Sequence, residues 1–73
     1  MIRILAHDIL FDGHHYKLSV AQFADDLSSV VIFPFREEIA HTAFVDGCIC
    51  ILKVGDSFVV KKDGRILDIR NLS

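Results

Sequence analysis

The stretch Ile9-Leu10-Phe11-Asp12-Gly13-His14-His15-Tyr16 decides the fold class. Three apolar residues run into an Asp-Gly pair, and the chain leaves it in alternation. A two-residue Asp-Gly connection between apolar runs is a strong hairpin signal, because its turn needs positive φ and glycine takes that without strain. Upstream, Ile2, Ile4 and Ala6 alternate with Arg3, Leu5 and His7. Downstream, Tyr16, Leu18 and Val20 alternate with Lys17 and Ser19. A period of two puts successive side chains on opposite faces of a strand. The chain is therefore expected to open with two antiparallel strands.

The same signals recur. Val30 to Phe35 is β-branched and aromatic, hence a strand. Pro34 lacks an amide hydrogen, so this strand is expected to end at an edge or a bulge. Phe44-Val45, Asp46-Gly47 and Cys48 to Val54 read as a second hairpin. Gly55-Asp56 turns the chain again, and Ser57 to Lys62, Asp63-Gly64 and Arg65 to Ile69 make a third. The even spacing of these turns follows from hairpins of similar length and needs no internal repeat. Residues 20–28 admit two readings. Val20, Phe23, Ala24 and Leu27 have helical spacing. The alternation through Gln22, followed by Asp25, Asp26, Ser28 and Ser29, favours a strand to about Phe23 and then a turn. Arg36 to His41 admits one helical turn before Phe44.

Composition sets the outer limits. The 73 residues form one domain, 1–73, too short for a doubly wound nucleotide fold or a barrel enzyme. Hydrophobic residues are 52% and charged residues 25%, which excludes a disordered chain. A net charge of −2 and a pI near 6.0 disfavour binding to duplex nucleic acid. The longest apolar runs, Val30 to Phe35 and Cys48 to Leu52, fall far short of the ~20 residues that span a bilayer. Asp8 interrupts any signal-peptide core. Cys48 and Cys50 would lie roughly 7 Å apart along a strand, too far for a relaxed disulfide. Free thiols and no leader give a cytoplasmic expectation. A domain near 60 residues buries only ~60% of its unfolded surface. With half the chain apolar, surplus apolar surface is expected outside the core. A homodimer, or another protein partner, would cover it.

Residues with chemical potential are few. His7, His41, Cys48 and Cys50 are the candidates for a metal, since histidine and cysteine are zinc ligands. His14 and His15 are adjacent and point to opposite faces of a strand. Cys-x-Cys lacks the second pair that a structural zinc site needs. Buried structural thiols are the plainer reading, so no metal and no cofactor is expected. No Gly-x-Ser-x-Gly elbow occurs, and Ser28 and Ser29 sit beside Asp25 and Asp26 as turn residues do. Asp25-Asp26 and Glu37-Glu38 are sequence neighbours, whereas catalytic carboxylates converge across a cleft. Residues 53–73 carry a net +2, from Lys53, Lys61, Lys62, Arg65 and Arg70 set against Asp56, Asp63 and Asp68. With Phe58 among them, they form a candidate surface for single-stranded nucleic acid. A solvated charged hairpin is the plainer reading.

Ala6, Ile9 to Phe11, Val20, Leu27 to Val31, Pro34, Glu37-Glu38 and Phe44 to Leu52 together resemble the opening of amidohydrolases. Gly55-Asp56, Phe58 to Val60 and Gly64 to Ile66 are similar to the strands that close the small sandwich which that family builds from its chain ends. The resemblance implies such a β-sandwich without the metal-bearing barrel. The family's His-x-His should follow the strand ending near Leu52, but Lys53-Val54-Gly55 follows instead. The resemblance therefore implies fold and no hydrolysis.

These readings converge on an all-β domain: a small antiparallel sandwich or partly open barrel of six or seven short strands joined by Asp-Gly hairpins. Its core should come from Ile2, Ile4, Leu18, Val20, Val30, Ile32, Ile49, Ile51, Phe58, Val60, Ile66 and Ile69. The functional expectation is a non-enzymatic module acting through self-association or a protein partner. A small metal-dependent protein using the histidines and cysteines, and a single-strand nucleic-acid binder, are the alternatives.

Overall fold

Six strands form, with the two halves of the expected second hairpin merged into one. A computed structural model describes residues 1–37 and 41–71. The strands are β1 (Ile2–Phe11), β2 (His14–Phe23), β3 (Val30–Pro34), β4 (Thr42–Val54), β5 (Ser57–Lys62) and β6 (Arg65–Leu67). A short 3-10 turn, Ile69–Asn71, follows. All six strands belong to one sheet, ordered β3-β2-β1-β4-β5-β6 and not closed into a barrel. Residues 20–28 resolve as the strand to Phe23 and then a turn. The helical turn considered over Arg36 to His41 falls in part, at 38–40, outside the described residues.

Two of the three Asp-Gly pairs make hairpins. Asp12 and Gly13 both have positive φ (53° and 77°), as do Asp63 and Gly64 (53° and 78°). That is the signature of the tight primed turn. Asp46-Gly47 is different, and the second hairpin expected there does not form. Only Gly47 takes positive φ, at 86°. The pair instead lies inside β4, which pairs in parallel with β1 on both sides of it. Ala6 is opposite Val45 and Asp8 is opposite Cys48, so β4 spends one more residue than β1 over this step. This is a β-bulge. The sheet is therefore mixed: β1–β4 is parallel and the other four pairings are antiparallel.

The bulge shifts the side-chain phase across three strands. Before it, Ile4 and Ala6 of β1 are buried; after it, Ile9 is buried. His7 and Asp8 thus both face away from the core. On β2, Leu18 adopts φ 44°, and the Ser19 hydroxyl donates to the Lys17 carbonyl at 3.0 Å. Leu18, expected in the core, is exposed for this reason. Ile66 is exposed as well, because it stands beside Lys61 on the outward face while its neighbour Leu67 packs against the core.

The sheet curls so that one face closes on itself. Ile4, Ala6, Ile9, Ala21, Phe23, Val45, Ile49, Ile51, Val60 and Ile69 form one buried cluster. Leu27, from the β2–β3 loop, packs against it. The Phe58 amide donates to the Leu27 carbonyl at 2.8 Å, and Arg70 Nη2 donates to the Asp25 carbonyl at 3.2 Å. These two bonds tie β5 and the 3-10 turn to a loop at the far side of the sheet. Phe23 has the largest fully buried side chain. Its truncation removes a ring that no neighbour can replace. Phe23→Ala should cost about 3–5 kcal/mol of unfolding free energy in urea titration. A loss below about 1 kcal/mol would show that the site collapses and that Phe23 is not the centre of the core.

Candidate functional site

The chemistry-bearing residues lie on the face opposite the core. Registers across the sheet define its rows. Phe33 (β3), Val20 (β2), Leu5 (β1) and Phe44 (β4) stand side by side. One row further along, Lys17, Asp8 and Cys48 are neighbours. Beyond them come His15, Leu10, Cys50, Lys61 and Ile66. Val20 is fully buried but stands outside the core cluster, between the larger side chains of its own row. Phe44 (56% exposed), Val31, Leu52, Val54 and Ile66 lie open on this face, and Leu18 is exposed at the kink.

A polar cluster sits at the centre. His15 Nδ1 donates to Asp8 Oδ2 at 2.7 Å, and Cys48 Sγ donates to the same oxygen at 3.5 Å. Asp8 Oδ1 is buried and has no hydrogen-bond partner among the described residues. The hydrogen bond from His15 holds the Asp8 carboxyl below its ordinary pKa of 3.8, with Cys48 and Lys17 adding to the effect. Cys48 moves the other way. Partial desolvation of the sulfur pushes its thiol up first, and the adjacent Asp8 carboxylate adds to the rise. A reactive cysteine needs a lowered pKa or a base that takes its proton. Here the thiol gives its hydrogen to a carboxylate that already holds a histidine, so the arrangement stabilises the thiol rather than the thiolate.

His7 sits at the bulge. Its ring meets Phe44 edge-on, with centroids 5.2 Å apart. The Gly47 amide donates to His7 Nδ1 at 3.3 Å, and Asp46 Oδ1 lies 3.3 Å from the same nitrogen. His41 is far from this group. It precedes β4, roughly 20 Å of strand from Cys48, and lines a shallow cleft with Met1, Arg3 and Arg70. Of the metal candidates, the structure places His7, Cys48 and Cys50 near one another and leaves His41 apart. Among the described residues, no group of three or more His, Cys, Asp or Glu side chains is placed to hold a metal ion.

Alternation with two isoleucines predicts the cysteines in the core. Ile49 and Ile51 take those positions, leaving Cys48 exposed and Cys50 half-buried on the opposite face. The two free thiols alternate with residues of larger apolar area, and burying those contributes more. Ser28 donates to Asp26 Oδ1 through both its amide and its hydroxyl (3.0 and 2.6 Å), so that carboxylate shapes the turn. The basic residues of the last third do not form one stripe. Lys61 lies on the outer face, Lys53 rests over the Phe58 ring at 6.0 Å, and Arg70 is held by the Asp25 carbonyl. A cleft of about 330 Å³ opens at the seam of the curl, between Leu27, Phe58 and Ile66 to Ile69. Asp26, Asp68 and Arg70 supply its charged groups.

The Asp8–His15 contact was missed from the sequence. The Asp12-Gly13 turn fixes the register, setting Asp8 opposite Lys17 and Leu10 opposite His15. Asp8 and His15 are thus diagonal neighbours, a relation readable from the turn alone. Cys48 joins them only through the parallel β1–β4 pairing. Among the described residues, no helix is long and apolar enough to cross a membrane. Compared with known protein families, curated proteins and solved structures, the chain matches none.

Two consequences are measurable. Because the Asp8 pKa is lowered on folding, its ionised form stabilises the native state above pH 3.8. That contribution disappears as pH falls below 3.8 through the lowered native value. Asp8→Asn should therefore flatten the acid limb of melting temperature against pH below about 4. An unchanged limb would remove the His15 contact from the account. The second consequence concerns Cys48, whose reaction with a disulfide reagent at pH ~8 should be slower than that of a free thiol. Asp8→Asn should speed it without restoring the free-thiol rate, since desolvation of the sulfur is the larger cause. A rate equal to that of free cysteine before mutation would contradict the raised pKa.

Proposed function

We propose that the chain is a non-enzymatic interaction module whose outer sheet face is the contact surface. One observation carries this reading. Apart from Met1 at the chain start, every large hydrophobic residue that stands exposed among the described residues belongs to that face or to the kink within it. Exposed apolar side chains gathered on one face of a sheet are what an interaction site offers a partner.

The sheet edges are poor alternatives. β3 is five residues long and ends at Pro34. β6 is three residues long and begins with Arg65. Short strands, proline and charge are the devices by which natural sheets discourage edge pairing. The partner, whether a second copy of the chain in a homodimer or another protein, therefore meets the face and not the edge. The polar cluster of Asp8, His15 and Cys48 fits the same reading, since its thiol is stabilised and no general base is free for it. The amidohydrolase resemblance adds only that a small β domain of this sort serves as an accessory to other structure.

An environment-sensitive apolar dye tests the open face in dilute protein. Native protein should enhance its fluorescence several-fold. Phe44→Ser with Leu18→Ser should remove most of that signal, with melting temperature little changed because both side chains are exposed. Dye binding that is absent in the native protein, or unaffected by the two changes, would sink the reading.

A further inference from the structure

The curl of the sheet leaves a concavity at its seam, where β5, β6 and the 3-10 turn approach the β2–β3 loop. Its volume is about 330 Å³, within the range of small-ligand pockets. Leu27, Phe58, Val60, Leu67 and Ile69 line it. Val60 and Ile69 belong to the buried core, so the cleft bottoms on the packed interior. Asp26, Asp68 and Arg70, all exposed, supply its charge. Apolar walls with a few charged groups are the usual build of a ligand site.

The loop wall is fixed in advance. Leu27 holds φ 62°, in the left-handed region that leucine avoids. Its amide donates to the Ala24 carbonyl at 2.8 Å, and its carbonyl accepts the Phe58 amide at 2.8 Å. The Ala24 amide closes the loop on the Ser29 carbonyl at 3.2 Å. Arg70 fastens the loop to the 3-10 turn through the Asp25 carbonyl. A wall held this way has little freedom left to lose when a ligand arrives.

The charges do not cancel. Two carboxylates and one guanidinium leave the cleft with a net −1. Arg70 spends Nη2 on the Asp25 carbonyl, and its positive charge acts on Asp26. Asp68 has a neutral partner instead, the Asn71 side-chain amide, which donates to Oδ2 at 2.6 Å. Among the described residues, neither Asp26 nor Asp68 forms an ion pair. The uncompensated charge therefore sits at Asp68.

We propose that this cleft binds a small organic cation, with an apolar body over Val60 and Ile69 and a protonated amine beside Asp68. The site is separate from the outer sheet face and adds a small ligand to the interaction module. Because Asp68 is exposed, the amine keeps part of its hydration, and its charge adds selectivity more than affinity.

Phenethylamine, phenylethanol and phenylpropionate carry a phenyl ring with a positive, a neutral and a negative end. Each is titrated into isotope-labelled protein at neutral pH, and the backbone amide shifts are followed by NMR. Phenethylamine should give saturable shifts at millimolar concentration, centred on Leu27, Phe58, Leu67 and Ile69. It should bind about 3-fold more tightly than phenylethanol, the scale of one partly exposed ion pair. Phenylpropionate should bind more weakly than either. Asp68→Asn keeps an oxygen for Asn71 and removes the charge. It should bring the amine to the affinity of the alcohol and leave the alcohol unchanged. If that variant fails to fold, added salt makes the same comparison in the native protein, since screening should close the gap between amine and alcohol.

No saturable shift with any of the three compounds, or shifts centred elsewhere, overturns the site. Phenylpropionate binding as tightly as phenethylamine overturns the cation. An amine preference that survives Asp68→Asn, or high salt, overturns the place given to Asp68. Phe44→Ser with Leu18→Ser should leave the amine titration unchanged, so the cleft and the outer face stand or fall separately.

Discussion

Parallel pairing of β1 with β4 is the constraint on which the rest depends. It joins the β1–β2–β3 unit to the β4–β5–β6 unit, and among the described residues no other strand pairing connects them. It places Ile49 and Ile51 of β4 beside Ile9 and Phe11 of β1. Without it, the core would split into two three-stranded layers, each with its apolar face open to water. The same pairing brings Cys48 to Asp8, so the polar cluster and the core share one cause. Parallel strands cannot be joined by a tight turn. β4 accordingly returns to β1 only after the chain has built β2 and β3.

The bulge is the second determinant. One strand carries an extra residue, and its neighbours answer with a left-handed Leu18 and two consecutive outward residues, His7 and Asp8. A sheet that kept strict alternation would place either the first or the second half of β1 with its isoleucines in solvent. The phase change lets both Ile4 and Ile9 reach the same core. It also crowds polar groups onto the outer face at one level. That is why His7, Asp8, Lys17 and Cys48 lie so close together.

Local features were legible in the sequence. The Asp12-Gly13 and Asp63-Gly64 hairpins, the Gly55-Asp56 turn, the strand ending at Phe23 and the edge strand ending at Pro34 follow from turn chemistry and alternation. The all-β class follows from them. Asp46-Gly47 shows where this reasoning stops. The dipeptide has the composition of a tight turn, but whether it folds back or bulges depends on a partner strand about forty residues away. The cysteines fail for a related reason. Alternation says that Cys48 and Ile49 face opposite ways, and only the position of the core says which way is inward. At the site, Asp8 with His15 was within reach of the hairpin register, whereas Cys48 required the long-range pairing.

The position of His7 has a consequence of its own. A ring nitrogen that accepts the Gly47 amide carries no hydrogen for Asp46, and one that donates to Asp46 has no lone pair left for Gly47. The two contacts at the bulge are therefore exclusive states of one atom, separated by a single proton. The same ring leans on Phe44, at the end of the apolar row. Which tautomer the imidazole holds is thus tied to the place where the sheet changes phase.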